Sequence, residues 1–222
     1  MSNEKDYIPA LKYDFLTPFY DSILNLTLRE NTFKHRLVEN ACIEDNYTIL
    51  DLGCGTGTLS ILIKQLFPTV KMFALDGDTN ILKIARKKAT ESKVKISFEQ
   101  GMAYKLPYPN NSFDRVVSSL VFHHLKTENK VSTLKEVYRI LRPGGQLHIA
   151  DWGKAQNLLM RLAFLSIQFL DGFATTTDNV NGLLPQLIDS AGFIKVSETF
   201  SYMTVYGTLS LYQASVAESA FV

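Results

Sequence analysis

The chain has 222 residues, a formal net charge of +1 and 46% hydrophobic residues. That size suits one large domain with a sizeable core, and the hydrophobic content excludes global disorder. The balanced charge argues against a dedicated nucleic-acid binder, which carries a basic footprint, and Cys42 and Cys54 alone give no disulfide framework and fit a reducing, cytoplasmic compartment.

The first residues, MSNEKDYIPALKYDF, lack the basic-then-apolar pattern of a secretory signal. Residues 1–46 read as an N-terminal helical lid outside the sheet. Its aromatic residues Tyr13, Phe15, Phe19 and Tyr20 either close over a ligand or pack on the sheet edge. From residue 47 strand and helix signals alternate. TILDL is a short apolar strand, and Leu59 to Phe67 has helical spacing that stops at Pro68. VKMFALD is a second strand. Thr79 to Ala89 is a helix that Asp78 or Thr79 can cap. VKISFEQ and FDRVVSSLVF are the third and fourth strands. Lys130 to Leu141 is amphipathic, RPGG is a turn, and QLHIAD is a fifth strand. The alternation implies a mostly parallel sheet over residues 47–152, covered by helices on both faces.

Residues 153–192 read as a helical insertion. Ala155 to Leu170 has helical character, TTTDNVNG reads as a polar loop, and a short helix from Leu183 to Ala191 ends at Gly192. Residues 193–222 hold two strand signals, Ile194 to Phe200 and Thr208 to Ala214, with no helix between them, so they should pair antiparallel. The whole is a single α/β domain with a Rossmann-like seven-stranded sheet. No apolar run reaches the length of a membrane span; the nearest, Leu158 to Phe173, carries Arg161, Gln168 and Asp171.

The most informative stretch is ILDLGCGTGTLS, where a strand ending in Asp51 runs into Gly53, Gly55 and Gly57. Open parallel sheets bind ligands beyond the carboxyl ends of their strands, and glycines let a ligand approach the backbone there. Asp76 ends the second strand, about 20 residues downstream, where such sheets place an acid for ribose hydroxyls. A nucleoside is the ligand this pattern implies. Taken singly, the glycines read as an ordinary tight turn and Asp76 as a helix-capping residue.

The G-x-G-x-G spacing differs from the dinucleotide pattern G-x-G-x-x-G, and it resembles that of class I S-adenosylmethionine-dependent methyltransferases. The resemblance runs over nearly the whole chain from Tyr47. ILDLGCGTG resembles their first motif, and FALDGDTNILKIARKKA their second strand and helix. LPYPNNSFDRVVSSLVFHHL, LKEVYRILRPGGQLHIAD and GTLSLYQA resemble later segments of the ubiquinone/menaquinone biosynthesis-type branch. The resemblance implies S-adenosylmethionine as cofactor and residues 47–152 as its binding core. Carried over by position, Gly53, Gly55 and Gly57 line the methionyl and ribose portion, and Asp51 reaches the ammonium through water. Asp76 takes the ribose hydroxyls, with Gly77 and Asp78 beside the adenine. Ala103 offers a backbone N–H to the adenine, and Ser118 a backbone carbonyl to the ammonium. The family commonly has an acid just before Ala103; here it is Met102, and a thioether is a weak acceptor.

Methyl transfer to oxygen, nitrogen or an activated carbon can need a proton removed, and His is the natural base near neutral pH. His123 and His124 follow the fourth strand and Asp151 ends the fifth, so His123 and Asp151 are the candidate base–carboxylate pair; the plain alternative is packing at a strand-to-helix junction. A metal site from His123, His124, His148 and Asp151 is disfavoured, because His148 and Asp151 lie three apart on a strand and point to opposite faces. The apolar residues of the insertion roof an acceptor pocket, with Trp152 as its wall, or form core or a homodimer face. Lys87, Lys88, Lys93 and Lys95 read as a solvated face. The expected function is methyl transfer to a small apolar or aromatic acceptor, with no nucleic-acid partner. The rival readings are a non-catalytic S-adenosylmethionine-binding protein and, against the glycine spacing, a nucleotide-dependent oxidoreductase.

Overall fold

β1 (Thr48–Leu52) is apolar along almost its whole length because helices cover both of its faces. The computed structural model describes residues 30–218. Among these residues seven strands form one sheet. In chain order they are β1, β2 (Lys71–Asp76), β3 (Ser97–Gln100), β4 (Phe113–Ser119), β5 (Leu141–Trp152), β6 (Ile194–Thr204) and β7 (Gly207–Ser215). The strands lie in the order β3-β2-β1-β4-β5-β7-β6. β1 to β5 pair in parallel, and β7 runs antiparallel to both β5 and β6. The strand order reverses between β1 and β4, which opens a crevice at their carboxyl ends.

Side-chain alternation divides the core. Leu50, Leu52, Val116, Leu147 and Ile149 face one side, packed by α4 (Thr127–Ile140) and α8 (Leu184–Ser190). Ile49, Val117 and Ala150 face the other, packed by α1 (Glu30–Asn40) and α2 (Thr58–Leu66). α3 (Thr79–Glu91) brings Leu82 onto Ala74 and Cys54. Arg115 of β4 ties down the end of α1: its Nε donates to the Ala41 carbonyl at 2.6 Å and its Nη2 to that of Cys42 at 3.3 Å. A cation there also suits the negative end of the helix dipole.

Three local expectations change. RPGG lies inside β5 rather than before it: the register shifts between the pairs Phe113–Leu141 and Arg115–Gln146, so the turn residues form a bulge in a continuing strand. The long helix expected over Ala155 to Leu170 is broken at Phe164 into α5 (Leu158–Ala163) and α6 (Leu165–Asp171). The polar stretch TTTDNV is no loop but most of α7 (Phe173–Val180). Thr176 and Thr177 there donate back to the Gly172 and Phe173 carbonyls, while Asp178 and Asn179 are buried against partners on α4 and β5. Tertiary hydrogen bonds override the weak helix propensity of these residue types. The N-terminal aromatic lid, Tyr13 to Tyr20, lies outside the described residues.

Candidate active site

The glycine turn begins where β1 ends. Gly53, Gly55 and Gly57 all have positive φ, at 71°, 53° and 79°. Their surroundings differ. A Cβ on Gly53 would stand 2.4 Å from Val121 Cγ2, and one on Gly57 would stand 3.2 Å from Ala85 Cβ. Among the described residues, a Cβ on Gly55 would meet nothing within 4 Å. Gly53 and Gly57 therefore have packing reasons for being glycine, whereas Gly55 faces open space that a ligand can enter.

Asp76 holds the turn from the neighbouring strand. Its Oδ2 accepts from Gly55 N–H and its Oδ1 from Asp78 N–H, each at 2.9 Å. Burial pushes its carboxyl up, opposed by the N–H groups of Asp78, Gly55 and Gly77. A carboxylate has about four lone-pair sites, so two backbone donors leave room for a ribose diol. The open face at Gly55 and the half-used carboxylate of Asp76 fit a nucleoside. Gly77 accepts at its carbonyl from Gln100 Nε2 at 3.3 Å. Asp78 caps α3, accepting from Asn80 N–H at 2.7 Å and Ile81 N–H at 3.4 Å. Its carboxylate oxygen is thus already engaged, which limits its service to an adenine.

Asp51 lies on the α1/α2 face of the sheet. It is 1% exposed and accepts from Ser60 Oγ at 2.5 Å. Burial pushes its carboxyl up to about 6. Met102 and Ala103 are half-buried in the loop after β3, with Ala103 packed on the core around Phe113. Ser118 is fully buried and donates through Oγ to the Leu52 carbonyl at 3.0 Å, which fixes the carboxyl ends of β1 and β4 side by side. Burial also pushes the Cys54 thiol well up, a poor setting for a thiolate nucleophile.

After β4 the chain makes a strained turn. Leu120 has a φ of 59°, uncommon for a residue with a Cβ. A short 3₁₀ helix, Phe122–His124, follows. Asp151, fully buried on β5, pins this turn: its Oδ2 accepts from Val121 N–H at 3.0 Å and Phe122 N–H at 2.7 Å. Its Oδ1 lies 2.8 Å from His123 Nδ1 and accepts from Trp152 N–H at 2.7 Å. The carboxylate only accepts, so Nδ1 carries a proton, and in the neutral imidazole Nε2 is then an acceptor. The structure thus brings His123 and Asp151 together next to the glycine turn, which touches Val121. His123 is itself 4% exposed.

The His124 ring packs against that of His123 with centroids 4.0 Å apart and planes tilted by 40°. Burial, then the charge of His123, pushes its imidazole well below the usual range, so it stays neutral. His148 takes a separate position: its Nε2 faces Gln146 Oε1 at 3.1 Å, and burial pushes it down to about 3. No cluster of three His, Cys, Asp or Glu side chains suited to a metal occurs among the described residues.

Three residues escaped sequence reasoning. Asn179 on α7 donates through Nδ2 to Asp151 Oδ1 at 3.2 Å and to the Trp152 carbonyl at 3.1 Å. Its neighbour Asp178 accepts from Thr127 Oγ1 at 2.7 Å and Lys130 Nζ at 3.0 Å. Lys130 is wholly buried on α4, and burial pushes its ammonium down. The available signal was a cluster of hydrogen-bonding side chains with no proline or glycine among them. The insertion's apolar residues divide: Met160 and Phe164 are buried, while Leu158, Leu159, Leu162 and Phe169 are more than half exposed.

Residues 49–145 match a family described as a methyltransferase domain. The chain is 30% identical over 183 residues to a demethylmenaquinone methyltransferase of Thermus thermophilus, covering 79% of this chain and 82% of that one. It is 31% identical over 156 residues to the protein of the same name from Lactobacillus johnsonii, covering 68% of this chain and 63% of that one. Among solved structures it resembles an S-adenosylmethionine-dependent methyltransferase from Aquifex aeolicus, with a TM-score of 0.68 and 20% identity over 93% of this chain and all of that one. That last likeness shows the fold.

Proposed function

Because the chain belongs to the S-adenosylmethionine-dependent methyltransferase family, we propose that it methylates a small apolar or aromatic acceptor, with His123 as general base and Asp151 as its partner. The acceptor best supported is a demethylmenaquinone-like quinone in its reduced, hydroxyl-bearing form, since that substrate gives the two relatives their names. When bound, S-adenosylmethionine supplies an electrophilic methyl group. Gly55 and Asp76 would hold its nucleoside end, with Gly53, Gly57, Asp51 and Ser118 shaping the end of β1 and β4, and with Gly77, Asp78, Met102 and Ala103 around the adenine.

The observation that carries the reading is the 2.8 Å contact between His123 Nδ1 and Asp151 Oδ1, buried beside the glycine turn. With Nδ1–H donated to the carboxylate, Nε2 is the ring nitrogen whose lone pair would take a hydroxyl proton from the acceptor. Asp151 stabilises the imidazolium that forms, as in other His–carboxylate pairs. Residues 153–192 would roof the acceptor. The burial of His123 favours one second reading, in which alignment alone drives transfer and His123 is a packing residue.

The test is an acceptor screen by mass spectrometry for the gain of one methyl, followed by kinetics of His123→Ala. Loss of the base should lower turnover by roughly 10²–10⁴-fold and leave cofactor affinity nearly intact. Near-normal turnover in His123→Ala would select alignment alone.

A further inference from the structure

α7 packs two adjacent buried side chains into different parts of the core. Consecutive residues on a helix point about 100° apart, so Asp178 reaches α4 while Asn179 reaches β5. Asp178 is fixed by Thr127 Oγ1 and Lys130 Nζ, and Lys130 Nζ also donates to the Thr175 carbonyl at 2.7 Å. This anchors α7 from both ends of one ion pair. Asn179, fully buried, then places its amide nitrogen between Asp151 Oδ1 and the Trp152 carbonyl. Both neighbours are acceptors, so the amide cannot be reversed without setting oxygen against oxygen. Among the described residues Asn179 Oδ1 is buried without a hydrogen-bond partner, a cost borne so that the amide nitrogen can reach both acceptors. An apolar residue of the same shape would avoid that orphan but would strip a donor from Asp151 Oδ1 and from the Trp152 carbonyl.

We propose that Asn179 is a positioning residue: through its amide it fixes the rotation of the Asp151 carboxylate, and hence the aim of the His123 ring, which couples the 153–192 insertion to the catalytic pair. The inference rests on the general-base reading of His123. Asp151 Oδ1 is shared by three donors, from His123, Trp152 and Asn179. Removing the amide frees the carboxylate to turn toward its remaining donors. Among the described residues, the titratable groups facing the pair include His124 on the same turn, Lys130 from α4, Asp178 from α7 and Tyr212 from β7. None of them touches Asp151 Oδ1.

The experiment compares wild type, Asn179→Leu and His123→Ala. A proton held between imidazole Nδ1 and a carboxylate resonates far downfield in proton NMR, and its loss in His123→Ala assigns it without any acceptor present. In Asn179→Leu the resonance should move or vanish into exchange. With a short-chain demethylmenaquinol as acceptor probe, turnover should drop about tenfold, the worth of one charge-assisted hydrogen bond, while KM and cofactor affinity stay within about twofold. An unchanged resonance overturns the proposal, whatever turnover does. A changed resonance with undiminished turnover overturns it as well, provided His123→Ala is impaired. If His123→Ala keeps full turnover, the general-base reading has failed, and a changed resonance in Asn179→Leu still supports the positioning. Where Asn179→Leu does not fold, Asn179→Ala replaces it: it removes the same amide donor from Asp151 Oδ1 and must give the same losses.

Discussion

Replacing Asp76 by alanine tests the nucleoside assignment at its strongest point. In the folded chain this carboxylate accepts from Gly55 and Asp78 N–H and has lone pairs left for two ribose hydroxyls. A hydrogen bond to a charged group contributes about 1.5–3 kcal/mol. Losing one at the low end weakens S-adenosylmethionine binding about tenfold, and losing both gives on the order of a hundredfold. The substitution also strips two backbone donors of their acceptor at a site only 8% exposed, which costs about 1–3 kcal/mol each at full desolvation. Affinity and stability must therefore be measured apart, by isothermal titration with S-adenosylmethionine and by thermal melting of the same sample. Asp76→Asn is the shape-conserving companion, keeping one acceptor oxygen while turning an NH₂ against a backbone N–H. A folded Asp76→Ala protein with wild-type affinity would refute the reasoning.

Gly55→Val should abolish measurable S-adenosylmethionine binding, because the branched side chain fills the open face and resists a φ of 53°; titration beside a melting curve separates that loss from unfolding. Met102→Asp restores the acid usual before Ala103 and should tighten binding up to about tenfold if an adenine acceptor is what the site lacks; a neutral or weaker result assigns Met102 to packing. Asp51 bears on pH: burial raises its folded value from 3.8 to about 6, so folding favours its protonated form. Stability from this group is full below about pH 4 and is lost as pH rises toward 6, a change of about 3 kcal/mol at most. Asp51→Asn should remove that slope, read as the difference between wild-type and variant denaturation curves across pH 4–7; parallel curves would contradict it.

The sheet was legible because its physics is local. TILDL and VKMFALD are apolar runs of strand length, Pro68 stops a helix, and glycines mark the turn at the strand ends. Asp76 and the pair of His123 with Asp151 were reachable because the ends of parallel strands meet at one edge. The polar segment was not. Thr175 to Asn179 look like loop residues when each is weighed by propensity, and only partners 28 to 48 residues away make the helix worthwhile: Lys130 for Thr175 and Asp178, Asp151 for Asn179. The bulge in β5 escaped for a related reason. RPGG has turn chemistry, and only the pairing partners in β4 show that the strand continues through it.

Asp151 carries two loads, and they have to be separated before any variant of it is interpreted. It accepts from the Val121 and Phe122 backbone N–H groups as well as from His123, so it holds the left-handed turn at Leu120 in place. Asp151→Asn would set an NH₂ group against those backbone donors or against His123 Nδ1, depending on its rotation. Either way it perturbs the turn that carries His123, and that turn abuts Gly53. A loss of turnover in Asp151→Asn could then come from a shifted glycine turn as readily as from a weakened base, and a loss of cofactor affinity alongside it would mark the former. His123→Ala leaves both backbone bonds to Oδ2 intact, and Asn179→Leu removes a donor from Oδ1 and from the Trp152 carbonyl without touching Oδ2. These two substitutions address the proposed proton-transfer role at one oxygen while the other keeps its structural duty, which is why that proposal is better tested at the partners of Asp151 than at Asp151 itself.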